Sequence, residues 1–423
     1  MTTVIFGAGA SVPFFEPTLS TNFLTRQVLD IGNWERVIHK LQVIKGKDKV
    51  QITSNDVMNI LEIILHYHPQ YNFEQIGELM DKFCSYNIDV YEKDSTYFNA
   101  LIQLFASLKE CMPIHAHKAW KDVPFMYRQI IAEAILQLER EHKSQAYDRL
   151  LASQSQMLQY FTETDPQGEV NLISFNYDDC LLESAQAVGF ETGFVDNILD
   201  GKGKGFNIPT FFAAKKVIYF PHGQLRWGMN YSDETECFDS SEEANLQRWL
   251  GFHDDAIRRT VLYQESNFAY TFNTFITTGQ SKEDGFNFAP YAYFYQRMAK
   301  DLIDSNRLII IGYSFKDEHI NRLMQSFVKR DTNNKVYVID YYTSPITMVD
   351  LPDFTDITMC MNRVFHSDWE LLYEPTDNSL TPKHEDVVKD LNNPLVGYGE
   401  IFSRVWFYRK GYESFLEEYR DIL

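Results

Sequence analysis

Five short stretches of this chain carry an uninterrupted apolar centre. They are Val4-Ile5-Phe6, "VNLISF" (170–175), "KKVIYF" (215–220), "RLIIIGYSF" (307–315) and "KVYVID" (335–340). A strand with one face in water alternates apolar and polar residues, whereas a strand without alternation has both faces covered. Both faces are covered chiefly in parallel sheets, whose strands are joined by crossovers. Segments with helical periodicity lie between these runs, and strands alternating with helices build a layered α/β fold. The sequence therefore predicts an α/β, doubly wound, mostly parallel Rossmann-like sheet.

One segment does not fit that alternation. From about 33 to 162 the apolar residues recur at helical spacing, as in Val57, Ile60, Leu61, Ile64 and Leu65, and again in Ile130, Ile131, Ala134, Ile135 and Leu138. Gly46 and Gly77 are the only glycines there. The expected organisation is a discontinuous sheet domain (1–32 and 165–365), a large α-helical insertion (33–164), and a helical, aromatic C-terminal extension (366–423) packing on the core. Ser20 and Thr21 offer N-caps for a helix containing Leu24 and Val28, and "YESFLEEYRDIL" reads as a closing amphipathic helix. Gly201, Gly203 and Gly205 suggest a mobile loop, and the polar, acidic stretch 230–245 a surface loop.

Composition narrows the function classes. The chain has 423 residues, 44% of them hydrophobic and 15% aromatic, enough for a large core. Its net charge is −20, which disfavours general nucleic-acid or anionic-membrane binding, since both draw on clustered Lys and Arg. The five cysteines, Cys84, Cys111, Cys180, Cys237 and Cys360, form no C-x-x-C pair. A zinc ribbon, another metal site of that kind and a disulfide scaffold are therefore not expected. No apolar run approaches a membrane span and no leader pattern stands at the start. The expectation is a soluble, cytoplasmic protein.

In an open α/β sheet, ligands bind beyond the carboxyl ends of the strands. After the first strand comes Gly7-Ala8-Gly9-Ala10-Ser11. Glycines allow a phosphate close to the backbone, and a following helix N-terminus favours negative charge. The dehydrogenase glycine fingerprint is incomplete, because Val12 and Pro13 occupy its continuation. The same stretch is compatible with a tight turn that binds nothing. After the second strand come Asn176, Asp178 and Asp179. One of them suffices to cap the following helix, which leaves the others for a water, an amide or a sugar hydroxyl. After the third comes His222-Gly223, and a histidine at a strand end suits acid–base chemistry, although a lone histidine is often structural. After the fourth come Gly312, Tyr313 and Ser314, followed by Lys316-Asp317-Glu318-His319. Asp340 closes the fifth, as a ribose ligand or a simple turn acid.

In this order the motifs resemble the sirtuin family, which carries a G-A-G-[AI]-S loop, an Asn-x-Asp motif, a His-Gly pair and a G-[TS]-S loop. The resemblance covers about half the chain. It departs from deacetylating sirtuins in lacking their four-cysteine zinc module, in having "PFFEP" (13–17) after the first loop, and in the helical insertion. It is closer to bacterial sirtuin-like antiphage effectors, which the resemblance implies are NAD+ hydrolases, some paired with a hexameric translocase-type ATPase and assembled into homo-oligomers. It implies NAD+ as substrate and a water nucleophile. Asn176 would position water and ribose, His222 would act as base, and Asp178 would hold the ribose or the nicotinamide amide. The two loops, with Gly7, Ala8, Gly9, Ser11, Gly223, Gly312 and Ser314, would cradle the pyrophosphate, and Asp340 the adenosine ribose. Phe14 and Phe15 would close over the site or belong to the core. Two rivals remain: a non-catalytic sensor of NAD+ or ADP-ribose, and an oxidoreductase. The incomplete glycine fingerprint argues against the second.

Overall fold

The computed structural model describes residues 1–45, 52–80, 123–196, 204–225, 227–229, 237–239, 290–315, 317–331, 334–340, 395–397, 405–408 and 410–423. Its centre is a seven-stranded sheet ordered β10-β11-β9-β8-β1-β2-β5. The strands are β1 (Thr2–Phe6), β2 (Val170–Ser174), β5 (Lys216–Tyr219), β8 (Arg307–Ile311), β9 (Lys335–Ile339), β10 (Leu395–Gly397) and β11 (Val405–Tyr408). All neighbours are parallel except β10, which runs antiparallel to β11. Each of the five apolar runs read from the sequence forms one of these strands. The reason is burial: every residue of β1 and β2 is inaccessible to solvent, so no polar face is required.

The strand order places the site. From central β1 the chain moves outward to β2 and β5, then returns to β8 on the other side of β1 and continues to β9 and β11. The winding reverses between β1 and β8. In open α/β sheets, ligands bind beyond the carboxyl ends of the strands at such a point. The fold is a Rossmann-like α/β fold with helical insertions.

The helices follow local signals. Ser20 caps α1 (Thr21–Leu29), its side chain accepting from Phe23 N at 3.2 Å. Thr53 and Asp56 form a capping box on α3 (Ser54–Tyr67). Helix α2 (Ile31–Lys45), α3 and α4 (Val123–Glu141) bury the apolar stripes read from the sequence. Glu133 of α4 clamps α2 through Arg36 at 3.0 Å and Lys40 at 2.9 Å. Helix α5 (Tyr147–Thr164) leads into β2 and packs on α6 (Cys180–Ala187) and on α10 (Gly411–Ile422). The buried residues of sheet, insertion and α10 form one continuous core.

Helix α8 (Tyr291–Asp304) docks on the sheet through a buried polar knot. Arg297 donates to Asp301 (2.8 Å), to Asn171 of β2 (3.0 Å), and to the carbonyls of Phe211 and Ala214 at the end of the short α7 (Ile208–Ala213). Tyr219 of β5 donates to the other Asp301 oxygen at 2.9 Å. Each guanidinium nitrogen of Arg297 has a partner, which is the condition for burying a charged pair.

Three expectations are corrected. Residues 204–206 form strand β4 rather than part of a loop, while 201–203 lie outside the described residues. Cys237–Asp239, within the expected surface loop, is strand β7. With β3 (Phe194–Asp196) and β6 (Trp227–Met229) they build a second, antiparallel sheet ordered β3-β4-β7-β6. The C-terminal extension supplies β10 and β11 as well as α10, so it extends the main sheet.

Candidate functional site

The loop after β1 presses against the loop after β8. Gly7 N donates to Ile311 O and Gly9 N to Gly312 O, both at 2.9 Å. A Cβ on Gly7 would stand 2.5 Å from Gly312 O. Gly312 has φ +59, and a Cβ there would stand 2.4 Å from Ala10 N. These glycines are required by backbone meeting backbone.

That contact changes the expected role of the loop. Ala10 N and Ser11 N turn back to Gly7 O and Ala8 O. Four of the five N–H groups from Gly7 to Ser11 are thus used within the protein, while Ala8 stands exposed at the crest. No α-helix begins here either. Two 3-10 turns follow, Ala8–Ala10 and Val12–Phe14, and α1 starts only at Thr21. Pro13 sits at the start of the second turn, where its fixed φ is tolerated and its missing N–H leaves no further helical hydrogen bond to make. Phe14 and Phe15 are core residues, packed on Tyr147 with ring centroids 5.8 and 6.1 Å away.

Ser11 faces the β2 end instead. Its hydroxyl donates to Asp178 Oδ2 at 2.5 Å and accepts from Asn176 Nδ2 at 2.7 Å. Asp178 Oδ1 accepts from Cys180 N at 3.1 Å, so Asp178 supplies the side-chain cap of α6. Asp179 instead accepts from Gln224. Burial pushes the Asp178 carboxyl above its ordinary value, against the pull of the Ser11 and Cys180 donors. The clamp uses the amide nitrogen of Asn176 and leaves its oxygen: Asn176 Oδ1 is buried and has no hydrogen-bond partner among the described residues. A buried amide oxygen left this way carries a desolvation cost that a ligand or water would relieve.

His222 follows β5, buried, on a turn made by Gly223 at φ +94. Its ring packs on Phe175 at 4.6 Å, and Phe175 immediately precedes Asn176. His222 Nε2 lies 4.0 Å from Asp317 Oδ1. Tyr313 OH donates to Asp317 Oδ2 at 3.3 Å, and the Tyr313 ring also packs on Phe175, at 5.2 Å. The ends of β1 and β2 therefore meet in the Ser11–Asn176–Asp178 clamp, and those of β2, β5 and β8 meet around the Phe175 ring with His222, Tyr313 and Asp317.

Two other candidates stand apart from these contacts. Ser314 is exposed on the loop after Gly312. Asp340 is half-buried, and its backbone joins β9 to Tyr408 and Gly411. Among the described residues no group of three or more His, Cys, Asp or Glu side chains is placed to hold a metal ion, and no helix is long and apolar enough to cross a membrane.

No protein-family model matches this chain. No curated protein matches it significantly either. The chemistry of the site rests on its own residues.

Sequence reasoning passed over Asp317, Tyr313 and Phe175. Asp317 stood in a noted polar quartet, but its facing residue is almost a hundred positions earlier in the chain, beyond the reach of local patterning.

Proposed function

We propose that the protein is a sirtuin-like NAD+ glycohydrolase. The observation that carries this reading is the Ser11–Asn176–Asp178 clamp, which leaves a buried amide oxygen beyond the end of β2, while His222 packs on Phe175, the residue before Asn176. In the reaction, water attacks C1′ of the nicotinamide ribose as the C1′–N bond breaks. Nicotinamide leaves neutral with the bond's electron pair, and the products are ADP-ribose, nicotinamide and one proton.

Asn176 Oδ1 accepts a hydrogen bond from the attacking water or a ribose hydroxyl and fixes its approach. His222 takes the proton. Asp178 holds the clamp and supplies negative charge beside the developing oxocarbenium ion. The pyrophosphate lies along the crest between Ala8 and Ser314, the exposed parts of the two crossing loops. In the same reading the activity is that of an antiphage effector, acting as a homo-oligomer with a translocase-type ATPase partner and restrained until triggered, since unrestrained NAD+ loss is toxic.

A general base contributes roughly 10²–10⁴-fold. His222→Ala should lower kcat by that order with a smaller change in KM. Chromatographic assay of nicotinamide release tests it. NAD+ binding by the wild type with no nicotinamide release under any condition would assign the chain to the sensor class.

A further inference from the structure

We propose that Asp317, held by Tyr313, is the positioning residue that sets the tautomer and charge of His222. The proposal rests on His222 being the base of the reading above. Asp317 is the N-cap residue of α9 (Glu318–Arg330), yet its side chain makes no capping hydrogen bond. An N-cap aspartate ordinarily accepts from its own helix. Here one oxygen accepts from Tyr313 and the other faces His222.

The loop geometry directs it there. Phe315 adopts φ +55, a left-handed conformation unfavourable for a bulky residue. Asn321 of α9 holds it by donating to Phe315 O at 2.7 Å. This reversal brings Asp317 back beneath Tyr313. Burial, reinforced by Asp317, pushes the Tyr313 phenol well above its ordinary value, so it remains a donor. Tyr313 and His222 are seated on the same Phe175 ring.

A carboxylate facing Nε2 favours the tautomer protonated there. When His222 takes a proton as base, the imidazolium charge faces Asp317. The 4.0 Å separation is ion-pair range, and catalytic contacts of this type often tighten only when the site is filled. Other charges act on this corner: Glu74 and Arg128 of the helical insertion, with Asp317, bear on the buried Tyr177 phenol. They are common to wild type and variants.

The test is a titration of His222 in the full-length protein by NMR of ¹⁵N-labelled imidazoles, assigned with His222→Ala, alongside NAD+ cleavage kinetics. Asp317→Asn should lower the His222 pKa by about one unit. It should cut kcat at least about tenfold with little change in KM, and Asp317→Glu should recover part of both. Asp317→Ser places a favourable N-cap residue there without the charge and gives the same reading should the amide variant misfold. An unmoved His222 pKa together with an unmoved kcat overturns the proposal while NAD+ cleavage stands. A lowered pKa in a protein that never cleaves NAD+ supports the Asp317–His222 pairing and removes the reaction assigned to it.

Discussion

Ser11→Ala separates two roles that one serine in a glycine loop can play. A serine that only touches a bound phosphate can lose its hydroxyl with little effect on folding. Ser11 instead stands between two buried groups, donating to Asp178 and accepting from Asn176. The alanine variant leaves Asp178 Oδ2 and the Asn176 amide each short of a partner. Each such orphan costs about 1–3 kcal/mol, and more for a charged group, so the loss of two partners should be about 2–6 kcal/mol. It should also depend on pH. Burial already raises Asp178, and the Ser11 donor opposes that rise. Without the donor the folded state holds its proton more tightly, so the variant's stability falls further as pH rises. The deficit should therefore shrink in acid, where Asp178 is protonated in both folded and unfolded chains. Urea denaturation followed by the fluorescence of the six tryptophans measures it. A change within about 0.5 kcal/mol, the range of an ordinary surface substitution, would refute the clamp.

Gly312→Ala should destabilise by more than about 2 kcal/mol, because a left-handed alanine is strained and its Cβ meets backbone atoms that cannot rotate away; a loss below about 1 kcal/mol, measured by the same denaturation, would contradict the loop-on-loop packing. Burial pushes Asp301 up to about 6, against Arg297 and Tyr219. The folded state then binds more protons than the unfolded chain, and stability falls as pH rises from about 4 to 6, by a total on the order of 3 kcal/mol. The stability difference between wild type and Asp301→Asn should move against the wild type over that interval, and a difference flat with pH would contradict it.

The sheet was legible because burial on both faces writes itself as uninterrupted apolar runs. The runs around Val4, Leu172, Ile218, Ile309 and Val338 all became strands of the parallel sheet. The insertion was legible because Ile60, Ile64, Ile131 and Ile135 keep helical spacing. The second sheet was not, because its strands are only three residues long and β4 is Lys-Gly-Phe, which carries no periodicity. In the site, position beyond a strand end pointed to Asn176 and His222. The partners of Ser11 lie 165 and 167 residues away, and no local pattern encodes such a distance. The glycines carry two meanings for a related reason: close approach of a phosphate and close approach of a second loop need the same residue type, and here Gly312 is the second loop.

The central claim is that Asn176 and His222 cleave the nicotinamide–ribose bond. The most direct measurement is nicotinamide release from NAD+ by the purified full-length protein, beside His222→Ala and Asn176→Ala, each with folding verified by denaturation. The account predicts release by the wild type, reduced by roughly 10²-fold or more in His222→Ala and likewise lost in Asn176→Ala. Release that persists undiminished in both folded variants would contradict it.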